Sequence, residues 1–326
     1  MSYPRLRTFV GLLFVLAVLL AGCALPPPPP LPTPPPGTTA EAEVPSPEPI
    51  VVTDGLGRQV TLPEIPQRIV SLAPSNSEIL FAVGAEDQVV GVTQFCNYPP
   101  EACADKEVVG GFSAKSISVE VIVSLEPDLV LSRGEIHRPI IQALEQQGIP
   151  VIALTGRSFE EVYADIQQVG QVTGHPDQAG QVVADMQARV AQITEAVADI
   201  PQEERLQVFY EVWDEPLMTA GPNTFIGQMI DLAGGINIFG DVAEDYPVVS
   251  PEEVIRRNPD VILAPDTHAE KVTPEALAQR PGWETIQAVQ EGRIHLVDGD
   301  IVSRPGPRIV DGLEAVARAL YPERFP

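Results

Sequence analysis

One segment pattern occurs twice in the chain. Ser118-Val119-Glu120-Val121-Ile122-Val123-Ser124-Leu125-Glu126-Pro127-Asp128-Leu129-Val130-Leu131 is echoed by Ser250-Pro251-Glu252-Glu253-Val254-Ile255-Arg256-Arg257-Asn258-Pro259-Asp260-Val261-Ile262-Leu263. Each copy sets a serine to cap a helix, a glutamate in the first turn where the helix dipole favours an acid, and Pro-Asp between the helix and a strand. A repeated helix–strand unit points to two similar α/β halves, with Glu120 and Glu252 at matching points on them. Any good helix start needs a cap and an acid. A pair of exposed carboxylates, one per lobe, is also a docking device for a partner that carries arginines.

Around the echoes the patterning alternates. A hairpin is expected from Ile50 to Thr53 and Gln59 to Leu62, turning at Gly55 to Gly57. Short apolar runs at Arg68 to Ala73, Val89 to Phe95, Asp128 to Ser132 and Pro150 to Leu154 read as buried strands. Helical spacing fills the intervals at Ser75 to Val83, Ser118 to Leu125, Arg138 to Gln147 and Ser158 to Val172, so a parallel sheet is implied. From about Asp177 to Ile200 the spacing stays helical, with Val182, Val183, Met186, Val190, Ile193 and Val197 on one face. Strands are then expected at Leu206 to Val212, Val261 to Ala264 and Arg293 to Val297. Helices are expected at Asn223 to Leu232, Pro251 to Arg257, Trp283 to Gln290 and Pro307 to Leu320. The organisation read from this is a first α/β lobe over residues 50–174, a connecting helix over 175–200 and a second α/β lobe over 201–326.

The first 49 residues lack this patterning. Arg5 and Arg7 precede an apolar run from Phe9 to Leu20 that closes in Leu20-Ala21-Gly22-Cys23. A membrane span needs about 20 apolar residues, and this run is shorter. The segment resembles a bacterial lipoprotein signal, which implies a signal peptide over residues 1–22 and lipid attachment at Cys23. Residues 23–49 form a Pro-rich linker that cannot bury a core and favours extended polyproline at about 3.1 Å per residue. The body is therefore expected outside the cytoplasm, lipid-anchored at the outer face of the cell membrane, or in the periplasmic space where there are two membranes.

The chain carries 45 acidic against 20 basic residues, a formal charge of −25. That excess argues against nucleic acid as a partner and against a broad face for anionic lipid. In an exported chain Cys96 and Cys103 read as a disulfide, worth about 2.5 kcal/mol by loop-closure entropy. A metal site is the competing reading, but Cys-x₆-Cys is not a usual zinc spacing and no histidine lies nearby in sequence.

Several fragments in order carry a family resemblance: Arg68-Ile69-Val70-Ser71-Leu72-Ala73-Pro74-Ser75-Asn76-Ser77-Glu78-Ile79-Leu80, Asn97-Tyr98-Pro99-Pro100-Glu101-Ala102, Glu120 to Leu131, Thr219-Ala220-Gly221, Gly234-Gly235-Ile236-Asn237-Ile238-Phe239 and Pro305-Gly306-Pro307-Arg308. From about residue 50 to the end the chain resembles the substrate-binding lipoproteins of bacterial ABC importers for cobalamin, iron siderophores and haem, and among them most resembles the cobalamin binders. The resemblance implies two Rossmann-like lobes with parallel-rich sheets joined by one long helix, the class III periplasmic-binding-protein fold. It also implies a monomer that takes up a cobalt- or iron-containing complex and delivers it to a permease dimer with ATPase subunits. Glu120 and Glu252 then match the glutamates that engage arginine pockets on the permease.

A flat macrocycle between lobes calls for aromatic faces, which give contact area with few torsions to freeze. Tyr98, Phe112 and Tyr246 fall at or near aromatic ligand contacts of the cobalamin binders, and Trp213 is a further wall residue; Trp283 reads as core. Where those binders have another tryptophan, this chain has Ser132 followed by Arg133. Arg133, Arg157 and Arg304, in or near loops at strand ends, are suited to carboxylates or carbonyl oxygens of a siderophore or haem.

An exported enzyme and an adhesive or structural lipoprotein are the rival classes. Gly-x-Ser-x-Gly and His-Glu-x-x-His are absent, as is a nucleotide-binding Gly-x₄-Gly-Lys loop, and His137, His175, His268 and His295 form no catalytic or metal-binding spacing. No cofactor and no metal site are expected in the protein itself.

Overall fold

The structure is a computed structural model that describes residues 48–266 and 273–325. The signal segment, Cys23, the linker up to residue 47 and His268 lie outside the described residues. A hairpin of β1 (Ile50–Thr53) and β2 (Gln59–Leu62) leads into a first sheet built from β3 (Ile69–Ser71), β4 (Val89–Val92), β5 (Glu107–Val108), β6 (Leu129–Arg133) and β7 (Val151–Leu154). Its strands are all parallel, in the order β5-β4-β3-β6-β7. The second sheet holds β8 (Gln207–Asp214), β9 (Leu217–Thr219), β10 (Ile236–Asn237), β11 (Val261–Pro265) and β12 (Ile294–Val297). Here β10-β8-β11-β12 are parallel, and β9 folds back antiparallel on β8.

The sequence echo is a structural repeat. Ser118 and Ser250 cap their helices, accepting from the Val121 and Glu253 amides at 3.2 Å. Both helices end on a left-handed residue, Glu126 (φ 48°) and Asn258 (φ 46°), immediately before Pro-Asp. Each aspartate then ties its strand to the central strand of its own sheet. Asp128 accepts from the Arg68 amide at 2.9 Å and Asp260 from the Gln207 amide at 2.8 Å. As a result β6 lies beside β3 and β11 beside β8, the same step taken in both lobes.

The lobes are joined by helix Pro176–Val197, which follows helix Phe159–Thr173 after a left-handed turn at Gly174 (φ 83°). Ala179, Val183, Met186, Ile193 and Val197 of the connecting helix are buried. Around them one apolar core runs from Leu131 and Leu154 of the first lobe to Met229 and Leu313 of the second. Helix Pro74–Ala82 has Pro74 through Leu80 buried, polar Ser75, Asn76, Ser77 and Glu78 among them.

Two local expectations change. Trp283 to Gln290 is not one helix: a 3₁₀ turn at Trp283–Thr285 is followed by extended Ile286 and a short helix Gln287–Gln290. Trp283 itself is fully buried. Strands β5, β9 and β10 are new, because two or three residues are too few to show a period of two.

Helix Phe159–Thr173 also buries a carboxyl, Asp165, against the Thr155 and Gly156 amides. Burial pushes it from 3.8 up to about 7. Over that range the folded chain holds a proton that the unfolded chain has released, so the native state loses stability as pH rises toward 7. Asp165→Asn should therefore unfold at higher urea than the wild type at about pH 8, with the gap closing as pH falls through the carboxylate range. Equal midpoints across the range would show that the carboxyl is not raised.

Candidate functional site

In the first sheet β4 and β5 lie on one side of β3 while β6 and β7 lie on the other, so a crevice opens at the carboxyl ends between β3 and β6. The second sheet reverses in the same way between β8 and β11. Such switch points are where open α/β sheets place ligands. Ser75, just past β3, and Arg133, the last residue of β6, stand at the first one. They line a cavity of about 240 Å³ with Phe95 and Phe112, and the second lobe closes it with Arg304 and Pro305. A larger cavity of about 490 Å³ shares Phe112 and Arg133 and extends past Leu56 of the hairpin turn to Ile136 and Arg157. Phe112 and Arg133 thus sit where the two spaces meet.

Burial lowers the Arg133 guanidinium from its ordinary value, opposed by Tyr246 of the second lobe and by Asp165 and Glu161. Among the described residues the guanidinium donates to the Thr155 carbonyl and contacts no carboxylate. A desolvated cation in that state suits an anionic or carbonyl group of a ligand. His137, fully buried, fixes the two loops beside it. Its Nδ1 accepts from the Arg133 amide at 2.9 Å, which leaves Nε2 to donate to the Phe112 carbonyl at 2.7 Å. That pairing needs the neutral imidazole, and burial lowers the His137 pKa accordingly. The Phe112 ring also packs edge-on to His137 at 5.7 Å.

The other singled-out residues spread around this centre. Tyr246 is half-exposed, and its phenol is pushed up by desolvation and pulled back by Arg133 across the lobes. Tyr98 is half-exposed with the Arg308 guanidinium 4.0 Å over its ring. Trp213 is half-exposed near the carboxyl end of β8, donates to the Glu215 carbonyl at 2.9 Å and is not among the residues lining either cavity. Arg157 is exposed on the rim of the larger cavity and pairs with Glu161 at 3.4 Å. Cys96, in the loop after β4 that carries Phe95 and Tyr98, is disulfide-bonded to Cys103 of the short helix Pro100–Ala104.

Arg304 lines the smaller cavity, but its charge is already matched. It donates to Glu78 at 3.1 Å and to Asp300 and Asn97 at 2.6 Å each. Glu78 also takes a fork from Arg308, at 2.9 and 2.7 Å. In the sequence Glu78 and Arg308 stand inside motifs that give them no role of their own, and no histidine spacing marks His137. A glutamate inside a helix buried on every side was the available signal for Glu78.

Glu120 and Glu252 lie outside the cleft in the first turns of their helices, both exposed. Glu120 accepts from the Ser118 hydroxyl at 3.1 Å. The adjacent Glu253 differs: Arg256 and Arg257 hold its carboxyl down at about 2. Among the described residues no helix is long and apolar enough to cross a membrane, and no group of three or more metal-ligating side chains gathers.

Known proteins are similar to this chain in architecture and in sequence. The ABC transporter substrate-binding lipoprotein YvrC of Bacillus subtilis (strain 168) is 35% identical over 318 residues, 96% of each chain. A cobalamin-binding protein of Halobacterium salinarum is 33% identical over 279 residues, 84% of this chain and 74% of its own. The solved structure of the periplasmic haem-binding protein RhuT from Roseiflexus sp. RS-1 aligns with a TM-score of 0.71 at 29% identity, covering 79% of this chain and 99% of that one. Two switch-point lobes on one connecting helix are the class III form of periplasmic binding proteins. Residues 69–301 match the family described as periplasmic binding protein, and the chain belongs to that family.

Proposed function

We propose that the chain captures cobalamin or a similar corrinoid between its lobes and delivers it to an ABC permease. The observation that carries this reading is the junction of the cavity between the lobes with the larger cavity on the first lobe, where Phe112 offers an aromatic face and Arg133 a desolvated cation. A flat macrocycle with polar edge groups matches that pairing of face and charge. The cobalamin-binding relative supports the choice of ligand. Membership of a family of solute-binding proteins makes this a binding component and not an enzyme. The second reading is haem or a ferric siderophore in the same place. Arg133 favours it, since a carboxylate or hydroxamate would supply the anionic partner that the guanidinium does not find among the described residues, and the RhuT structure supports it.

Delivery rests on two further assignments. Glu120 and Glu252 dock the lobes onto arginines of the permease dimer, whose ATPase subunits supply the energy; their repeated placement and exposure support this. Cys23 carries the lipid, so that the Pro-rich linker holds the body beside its membrane and raises its effective concentration at the permease.

The test is a comparison of the wild type with the Glu120→Ala/Glu252→Ala double variant. Both should quench tryptophan fluorescence with cyanocobalamin below about 10 µM, while cells carrying the double variant should lose cobalamin uptake. Surviving uptake would remove the docking assignment. No response to cyanocobalamin, with a response to haemin or a ferric siderophore, would move the ligand to the second reading.

A further inference from the structure

The lobes meet in a buried charge cluster that the proposed function does not use. Glu78 comes from helix Pro74–Ala82 of the first lobe, and its side chain is only 3% exposed. Arg304 and Arg308 come from the second lobe and are 13% and 15% exposed. The Glu78 carboxylate accepts from Arg304 Nη1 at 3.1 Å and from Arg308 Nε and Nη2 at 2.9 and 2.7 Å. Asn97 closes the ring from the first lobe, accepting from Arg304 and donating to Asp300, at 2.6 and 2.7 Å. Two acids and two arginines leave the cluster neutral.

Backbone packing meets at the same seam. A Cβ on Gly156 of the first lobe would sit 2.7 Å from Pro305, and one on Gly306 would sit 3.4 Å from the Ser75 carbonyl. Ser75 is one helical turn before Glu78 and lines the smaller cavity together with Arg304 and Pro305. Arg308 lies over Tyr98 at 4.0 Å. The charge cluster therefore touches the cavity wall on both sides.

We propose that Glu78 is a positioning residue, which fixes the separation of the lobes through Arg304 and Arg308 and so sets the width of the ligand cleft. With its charge gone, two desolvated guanidiniums would face each other with Asp300 alone to balance them, and the cheapest relief is to part the lobes and let water in. This rests on the cleft being the ligand site, but its first readout needs no ligand.

The experiment places spin labels on K115C in the first lobe and E284C in the second, in the full chain purified in detergent. Inter-label distances are measured in the ligand-free protein. The wild type should give one narrow distribution, while E78Q and R308M should each give a longer and broader one. The E78Q/R308M double variant should be no broader than the single variants, because both remove one contact. Cyanocobalamin binding should weaken roughly tenfold in each, in proportion to the loss of the competent separation. An unchanged distribution in E78Q overturns the proposal. If E78Q does not fold, an unchanged distribution in R308M does the same. Widened distances in a chain that never binds cyanocobalamin would uphold Glu78 and remove only the corrinoid reading.

Discussion

Everything in this molecule hangs on the apolar core that continues from one sheet into the other along a single chain crossing. The connecting helix buries Val183, Met186 and Ile193 among side chains of both lobes, and helix Phe225–Leu232 packs on it from the second. Parting the lobes widely would strip water-shielded apolar surface, at about 25 cal/mol per Å². Lobes joined by several flexible strands face no such cost. Such a crossing favours a preformed cleft that adjusts by small amounts over one that swings wide open. The Phe159 amide, donating to Gln228 of the opposite lobe at 3.0 Å, adds a polar tie in the same seam.

The cleft chemistry follows from that stiffness. Phe112, past the end of β5, and Arg133, the last residue of β6, both come from the first sheet and bring an aromatic ring and a cation together at the junction of the cavities. His137 holds both loops from behind as a neutral strut. The arginines around the cleft are of two kinds. Glu78, Arg304 and Arg308 satisfy one another, which suits a fastening, whereas Arg133 is left with a carbonyl partner, which suits a ligand. This difference in satisfaction separates Arg304, just past helix Gly299–Ser303, from Arg133 at the end of β6.

Much of the architecture is legible in the sequence because its determinants are local. The serine caps, the Pro-Asp steps at Asp128 and Asp260, and the long run of helical spacing each act within a few residues. Trp283 reads as core from its place beside a helix start, and its full burial agrees. Edge strands such as β10 are set by tertiary pairing of Ile236 and Asn237 with β8, and nothing local announces them. The cleft is legible only in outline. Arg133 falls at the end of β6, where periodicity can place it, while Phe112 is placed by the family resemblance because the two-residue β5 before it has no visible period; their convergence is tertiary. Glu78 and Arg308 are far apart in sequence and join across the seam, so no spacing could pair them.

The proposed site is a cleft whose width the frame has set before the ligand arrives. A crystal structure of the chain loaded with cyanocobalamin tests it most directly. The ligand should lie against Phe112 and Arg133, with the Glu78 contacts to Arg304 and Arg308 intact and the lobes displaced by no more than about 1 Å relative to the ligand-free chain. A ligand seated elsewhere, or lobes swung apart with the Glu78 contacts broken, would contradict it.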